Sequence, residues 1–401
     1  MTHTITTDIV GDSDSSATKW TSATTAASVD RLVRCAIDGL PRMYRPESRA
    51  FVQTMRGLPS ATGPHLVREG TNLRYAAIVA LGLNHTDEGT QRRVLSGITA
   101  AELTTAVAKR AGRDADPGAV ALAAWATAEV DQRHAATLFM RMRDMLASGD
   151  PLPTVDVAWM LTAAVASSYL GDTEDIVAAT RSRLLAQQGP TGLFPHALPA
   201  SSLGRFRAHV GCFADQVYPI QALARMAAVG ADNMALTAAD ACAQRICDLQ
   251  GQAGQWWWHY DVRNGSVVEG YPVYSVHQHA MAPMALFDLF DAGGADHHTS
   301  IVSGVSWLTT HPEVLDELVD ERLGVVWRKV GRHEPAKAAR KINAVTTSLR
   351  PGFILPGQDR AFPTTRVDHE CRPYELGWLL YAWLRQGTAA TALLTDESSR
   401  A

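Results

Sequence analysis

Gln250-Gly-Gln-Ala-Gly254-Gln-Trp256 decides the fold, because an earlier stretch echoes it: Gln188-Gly-Pro-Thr-Gly192-Leu-Phe194. Both read Gln-x-x-x-Gly-x-aromatic, and they begin 62 residues apart. Each follows an apolar stretch of helical spacing, 176–187 in one case and 236–249 in the other. A unit of helix, glutamine, glycine turn and aromatic that recurs at this period implies stacked helical hairpins. A looser third copy follows, in which Val305-Ser-Trp-Leu308 resembles the end of a repeat helix and Gly324-Val-Val-Trp327 resembles the turn, without the glutamine.

Outward from the repeat, helical periods prevail over strand-like alternation. Stretches 32–37, 72–83, 100–111, 119–130, 135–146 and 155–170 read as helices, as do 175–187, 217–228, 235–249, 276–290, 300–309 and 374–383. Breaks such as Ala147-Ser-Gly-Asp-Pro151 and Ala292-Gly-Gly-Ala-Asp296 join them. Helices paired at this rhythm close into a barrel of two concentric rings, the inner one more apolar and the outer one carrying the charge. The expectation is an all-α chain with one domain over 29–388, made of about six helical hairpins. Residues 1–28, rich in Thr, Ser and Asp, read as a disordered tail, and 389–401 as a C-terminal tail.

The chain has 401 residues, 46% hydrophobic and 19% charged, enough for a large core. A net charge of −4 gives no global reason to expect nucleic acid or an anionic membrane as partner. Five scattered cysteines, odd in number and with no signal peptide before them, suggest reduced thiols and a cytoplasmic protein. No apolar run reaches the length of a membrane span.

The Gln-x-x-x-Gly-x-Trp pattern behind an apolar helix resembles the QW repeat of the terpenoid cyclase and protein prenyltransferase superfamily. Gln250, Gly254 and Trp256 carry the resemblance, and Gln188, Gly192 and Phe194 repeat it with Phe in place of Trp. It covers roughly residues 155–330 and implies an α/α toroid. The Asp-x-Asp-Asp acid of class II terpene cyclases has no counterpart; Asp172-Thr-Glu-Asp175 and Asp368-His-Glu-Cys371 come nearest. Those cyclases also place the site between two helical domains, whereas this chain is long enough for one toroid. Carbohydrate-active α/α barrels, among them glycosidases, polysaccharide lyases and uronate epimerases, share the two-ring shape.

Chemistry-bearing residues cluster after the repeat turns. The stretches are Asp215-Gln-Val-Tyr218, then Trp256-Trp-Trp-His259-Tyr-Asp261 with Glu269 to His279, then Asp368-His-Glu370-Cys-Arg372-Pro-Tyr374. Each puts a carboxylate shortly before a tyrosine and an inner-type helix, so in a toroid the three stretches would surround one pocket. Glu269 and Glu370 are candidates for an acid and base across a glycosidic bond. Alternatively Tyr274 with His277 or His279 would move a proton beside a uronate carboxylate that Arg372 neutralises. Asp215, Tyr218, Trp256, His259, Asp261, Arg372 and Tyr374 are candidates for substrate binding. The bland reading stands beside these: Asp215, Glu269 and Glu370 would cap helices, and the Trp run would pack between them.

The stretch 327–351 is basic, with Arg328, Lys329, Arg332, Lys337, Arg340, Lys341 and Arg350 against Glu334. It reads either as a solvated loop or as a clamp over the mouth, with Arg328 and Arg332 holding an anionic substrate. No cofactor is expected. Zinc is an alternative through the pairs His209/Cys212 and His369/Cys371, although neither reproduces the spacing of the zinc-using toroids.

Three functions fit this reading. The first is an enzyme processing a glycan or sugar conjugate, as hydrolase, lyase or epimerase, with a small-molecule or oligosaccharide partner. The second is a divergent terpenoid cyclase or prenyl-transfer enzyme. The third is a non-catalytic binding toroid.

Overall fold

The computed structural model describes residues 14–61 and 63–385. In chain order its helices are α1 (Asp14–Met43), α2 (Leu73–Leu83), α3 (Glu88–Val94), α4 (Ala100–Ala111) and α5 (Pro117–Val130). Next come α6 (Ala136–Ala147), α7 (Thr154–Ala166), α8 (Glu174–Gln187), α9 (Ala214–Gly230) and α10 (Asn233–Asp248). Last are α11 (Ala282–Asp291), α12 (His298–Thr310), α13 (Ala338–Leu349), α14 (Gln358–Ala361) and α15 (Pro373–Leu384). A π turn, His277–Met281, leads into α11.

Six of them form a closed inner ring in the order α2, α5, α7, α9, α11 and α15, the last packing back on α2. Burial follows the ring. Every residue of α5 from Gly118 to Ala128 is buried, whereas α8 buries Ile176, Thr180 and Leu184, a single stripe at every fourth position. The outer helices α1, α4, α6, α8, α10 and α12 cover the inner ones. The fold is therefore the expected α/α toroid.

The repeat turn stitches the outer ring. Gln250 Nε2 donates to the carbonyls of Gly254 and, on α12, Ser300 (3.0 and 2.9 Å). Gln188 Nε2 donates to those of Gly192 and, on α10, Ala238 (2.7 and 2.8 Å). Gly192 and Gly254 hold φ of +87° and +93°, and a Cβ there would lie 2.7 and 2.0 Å from backbone atoms of the following outer helix. The third copy behaves alike without its glutamine. A Cβ on Gly324 would lie 2.6 Å from Cα of Gly39, on α1, so the first helix closes the ring.

That closure corrects the reading of the N-terminus, since α1 begins at Asp14, inside the stretch expected to be a tail. Residues 1–13, and the C-terminal tail expected over 389–401, lie outside the described residues. The links into the inner helices form small sheets of two or three strands rather than plain loops. One joins Val210–Cys212, His259–Asp261 and Val267–Glu269. Another joins Val273–Tyr274, Lys329–Gly331 and Arg366–Asp368. Runs of two or three residues are too short to show alternation in a sequence. The expected basic loop is thus a strand followed by helix α13. Among the described residues, no helix is long and apolar enough to cross a membrane.

Candidate functional site

The N-terminal ends of the inner helices face a cavity of about 410 Å³. Each of the six presents a charged or polar side chain at its start: Arg74 on α2, Asp116 capping α5, Asp156 on α7, Asp215 on α9, His277 in the π turn, and Glu375 on α15. Carboxylates there meet the positive ends of helix dipoles. Aromatic rings form the walls. Tyr75 and Tyr374 pair at 4.8 Å, Trp159 and Tyr218 at 4.9 Å, and Trp258 and Tyr274 complete the ring.

Arg74 lies at the floor. Its Nε donates to Asp116 Oδ2 (2.6 Å) and its Nη1 to Asp156 Oδ1 (3.0 Å). Burial pushes Asp156 up to about 6 despite the arginine, with Asp116 and Asp215 adding repulsion. Opposite, Arg328 stands over the Tyr274 ring at 4.8 Å and donates to Glu375 (3.0 Å). Glu375 also accepts from the Arg372 backbone N–H, yet burial raises it to about 7.

At the edge of the cavity, beside Cys212, His196 Nδ1 bonds to Asp215 Oδ2 at 2.9 Å. Asp215 is fully buried, its Oδ2 also accepts from the Cys212 backbone N–H, and its Oδ1 has no partner. This bond raises the His196 pKa, while the ring remains 42% exposed and therefore reachable.

Of the sequence candidates, Tyr218, Tyr274, His277, Arg328 and Tyr374 line the cavity, and Asp215 stands behind it. Arg372 reaches the Tyr75 hydroxyl (3.3 Å). The others lie elsewhere. Glu269 is buried among Arg332 (3.0 Å), Asn343 (2.9 Å) and Gln358 (3.2 Å), where it anchors α13 and α14. Glu370 is held between Arg56 (2.9 Å) and Arg372 (3.2 Å). The expected Glu269–Glu370 pair across a bond is therefore corrected, since each acid is engaged by arginine and neither lines the cavity. Arg332 serves Glu269 rather than the main cavity.

His279 sits in the core of the π turn with neither ring nitrogen bonded, and burial pushes it, like His277, down to about 3. Burial thus favours the neutral form of both imidazoles, and of the two His277 lines the cavity. Trp256 is core, and Trp258 takes the place expected of it. His259 is buried beneath Trp258 (3.9 Å), and Asp261 is buried against Arg263 (2.8 Å).

The two His/Cys pairs do not assemble as expected. His209 bonds to Thr347 (2.9 Å) and His369 packs on Trp327 (4.9 Å). Cys212 instead joins His196 and Asp215, with possible ligand atoms within 4.8 Å of one another. His196 and Asp215 engage each other there.

Sequence reasoning missed Arg74, Asp116, Asp156, His196 and Glu375. One signal was present: Asp156-Val-Ala-Trp159 and Asp215-Gln-Val-Tyr218 share Asp-x-x-aromatic at matching places on successive inner helices.

The ring of six hairpins with its cavity at the inner-helix N-termini defines an α/α toroid of the kind used by glycan hydrolases. Among solved structures, the chain is similar to an unsaturated glucuronyl hydrolase specific for heparin, at 12% identity, over 92% of this chain and 97% of that one, with a TM-score of 0.57. It is also similar to the unsaturated glucuronyl hydrolase of Streptococcus agalactiae, at 11% identity, over 90% and 92%, with a TM-score of 0.54. That of Bacillus sp. GL1, responsible for degradation of glycosaminoglycan, matches at 13% over 91% and 97%, with a TM-score of 0.50. At these identities the likeness is one of fold. No protein-family model and no curated protein matches the chain. The expected terpenoid cyclase and prenyltransferase kinship finds no support in these matches.

Proposed function

We propose that this protein processes an acidic glycan or sugar conjugate by acid–base catalysis, as a hydrolase, lyase or uronate epimerase. The observation that carries the reading is the make-up of the cavity. Aromatic plates suited to sugar rings surround two arginines and the ends of five inner helices, with a histidine–aspartate pair at the edge. Four tyrosines, two arginines, a histidine and an asparagine stand on this wall. An isoprenoid cation would want an apolar wall with a lone acid, so the terpenoid reading is weaker. The fold relatives named for unsaturated glucuronyl substrates point to the same substrate class by analogy only.

In this reading a sugar ring lies between Trp258 and Tyr218, and its carboxylate faces Arg328 and the helix N-termini. His196, its pKa raised by Asp215, gives a proton to a leaving oxygen or returns one to carbon beside the carboxylate. Asp215 fixes the imidazole and stabilises its charged form. Asp156, held near pH 6, is the second carboxyl group of the site.

The test is a panel of uronate-bearing oligosaccharides, neutral oligosaccharides and prenyl diphosphates, read by calorimetry and product mass spectrometry. Binding and turnover of uronates alone, weakened tenfold or more in Arg328→Gln, is the expected result. Preference for prenyl diphosphates, or indifference to the uronate carboxylate, would overturn it.

A further inference from the structure

We infer that the surface flanking the cavity at Trp258 binds a tetrahedral oxyanion, a phosphate or sulfate ester carried by the substrate beyond the sugar ring in the cavity. This rests on the acidic-sugar reading above and extends it to a second group on the same molecule.

A smaller hollow of about 150 Å³ shares Trp258 and Tyr274 with the main cavity and is lined by Lys329, Arg332, Lys337 and Arg366. Two of these cations are neutralised within the protein, Lys329 by Asp368 (2.8 Å) and Arg332 by Glu269 (3.0 Å). Lys337 and Arg366 have no carboxylate within ion-pair distance among the described residues. Two more unpaired cations stand close by. The Arg340 guanidinium lies 5.1 Å over the Trp258 ring, and Arg207 is near enough for Arg340 to lower its pKa. Glu334 is the remaining acid beside Lys337, and its carboxylate accepts from the Ala339 backbone N–H.

Lys337, Arg340 and Arg207 thus crowd one place without an ion-pair partner, Glu334 and Asp215 acting on them from farther off. Burial and the neighbouring cations lower Lys337, and His259 is held well below its ordinary value by burial first and then by Arg207, Arg340 and Lys337. Like charges in a partly dehydrated place repel, and an incoming anion relieves that repulsion as it binds. The cations come from separate elements, the loop before Val210 and the start of α13, so they approach from different sides. That arrangement suits a multi-oxygen anion better than one planar carboxylate. The position is fixed, because Asn343 of α13 is bonded to Glu269 and Arg263 donates to the Thr347 carbonyl (2.6 Å).

The experiment is calorimetric titration of the full chain with inorganic phosphate, inorganic sulfate and, separately, glucuronate. Wild-type protein should bind phosphate, sulfate or both, and the Lys337→Gln/Arg340→Gln double variant should bind them at least tenfold more weakly. Glucuronate affinity and melting temperature should be unchanged in that variant. Arg207→Gln, on the other element, should weaken the anion independently. Phosphate alone would identify a phosphate ester, sulfate alone a sulfate ester, and both a site that reads shape and charge. No binding of either anion by wild type, or unchanged binding by the double variant, overturns the inference. Failure of glucuronate alone would strike the acidic-sugar reading and leave the anion site standing.

Discussion

The two ends of the inner ring are made by the same helices and both hold ion pairs, but the pairs close one end and border a cavity at the other. At the C-terminal end, Arg225 of α9 donates to Glu129 of α5 (2.6 Å) and Asp288 of α11 (2.8 Å). Tyr381 of α15 donates to Glu129 (2.9 Å), and Arg385 closes on Asp288. The paired charges plug this end and tie four helices together. At the N-terminal end Asp215 Oδ1, His277 Nδ1 and Arg372 Nε are buried without partners. Buried groups without partners occur at the closed end too, Gln221 Oε1 and His85 Nε2 among them, but those at the N-terminal end stand beside the cavity, where a ligand can meet them. Helix direction explains which end it is, because exposed N–H groups at the N-termini attract carboxylates and anionic ligands alike.

Breaking the open end should cost activity and little else. Asp215→Asn is expected to lower kcat/KM on a uronate substrate by about 10²- to 10⁴-fold, the usual worth of a positioned acid–base group, with a small change in melting temperature. Retained activity would remove the His196–Asp215 pair from the mechanism. Breaking the closed end should do the reverse. Arg225→Ala removes the cation that Glu129 and Asp288 share, leaving the first to Tyr381 and the second to Arg385 and Gln221, and should cost about 3 kcal/mol in urea unfolding, while glucuronate affinity of the folded protein stays unchanged.

A pH series sharpens the contrast. Glu375 rises from 4.5 to about 7 on folding, so the native state holds its proton more tightly than the unfolded chain. Stability from this group is present at low pH and falls as pH climbs from 4.5 through 7, by at most about 3 kcal/mol. Asp156, raised from 3.8 to about 6, acts in the same direction. The buried His277 and His279, lowered on folding, give the opposite slope, so Glu375 is read from the difference between wild type and Glu375→Gln: unfolding free energies measured between pH 4 and 8 should show that difference fall by this amount. A difference that stays constant with pH would remove Glu375 as its cause.

The smallest effect concerns the outer ring, which serves both ends. Gln250→Ala and Gln188→Ala each remove two side-chain hydrogen bonds, one to a turn carbonyl and one to a helix carbonyl that keeps its own backbone donor, and should each cost about 1–2 kcal/mol. Similar losses would mark the two turns as energetically equivalent, and unequal ones would show that their likeness is geometric only.

Gln188, Gly192, Gln250 and Gly254 made the toroid legible, because their roles are local. A glutamine reaching one helix on and a glycine at positive φ leave the same trace wherever the unit recurs. Tyr218, Tyr274, His277 and Tyr374 were legible as cavity residues because they lie in the polar, aromatic stretches that lead from those turns into the next inner helix, and Arg328 because it opens the basic stretch 327–351. Glu269 and Glu370 misled because a carboxylate before a helix looks the same whether it faces a ligand or an arginine. Arg332 and Arg56, which engage them, come from other parts of the chain. Asp156 went unread because its apolar neighbours hide it, and His196 because its partner is 19 residues away.

The amino-acid sequence determined the hairpin, its repetition and hence the closed double ring, since these follow from helical period and turn chemistry within a few dozen residues. Which acids are free, which histidines stay neutral and where unpaired cations gather was decided by the tertiary structure alone. Charge state depends on burial and on partners brought together across the ring, and neither is written in the order of residues.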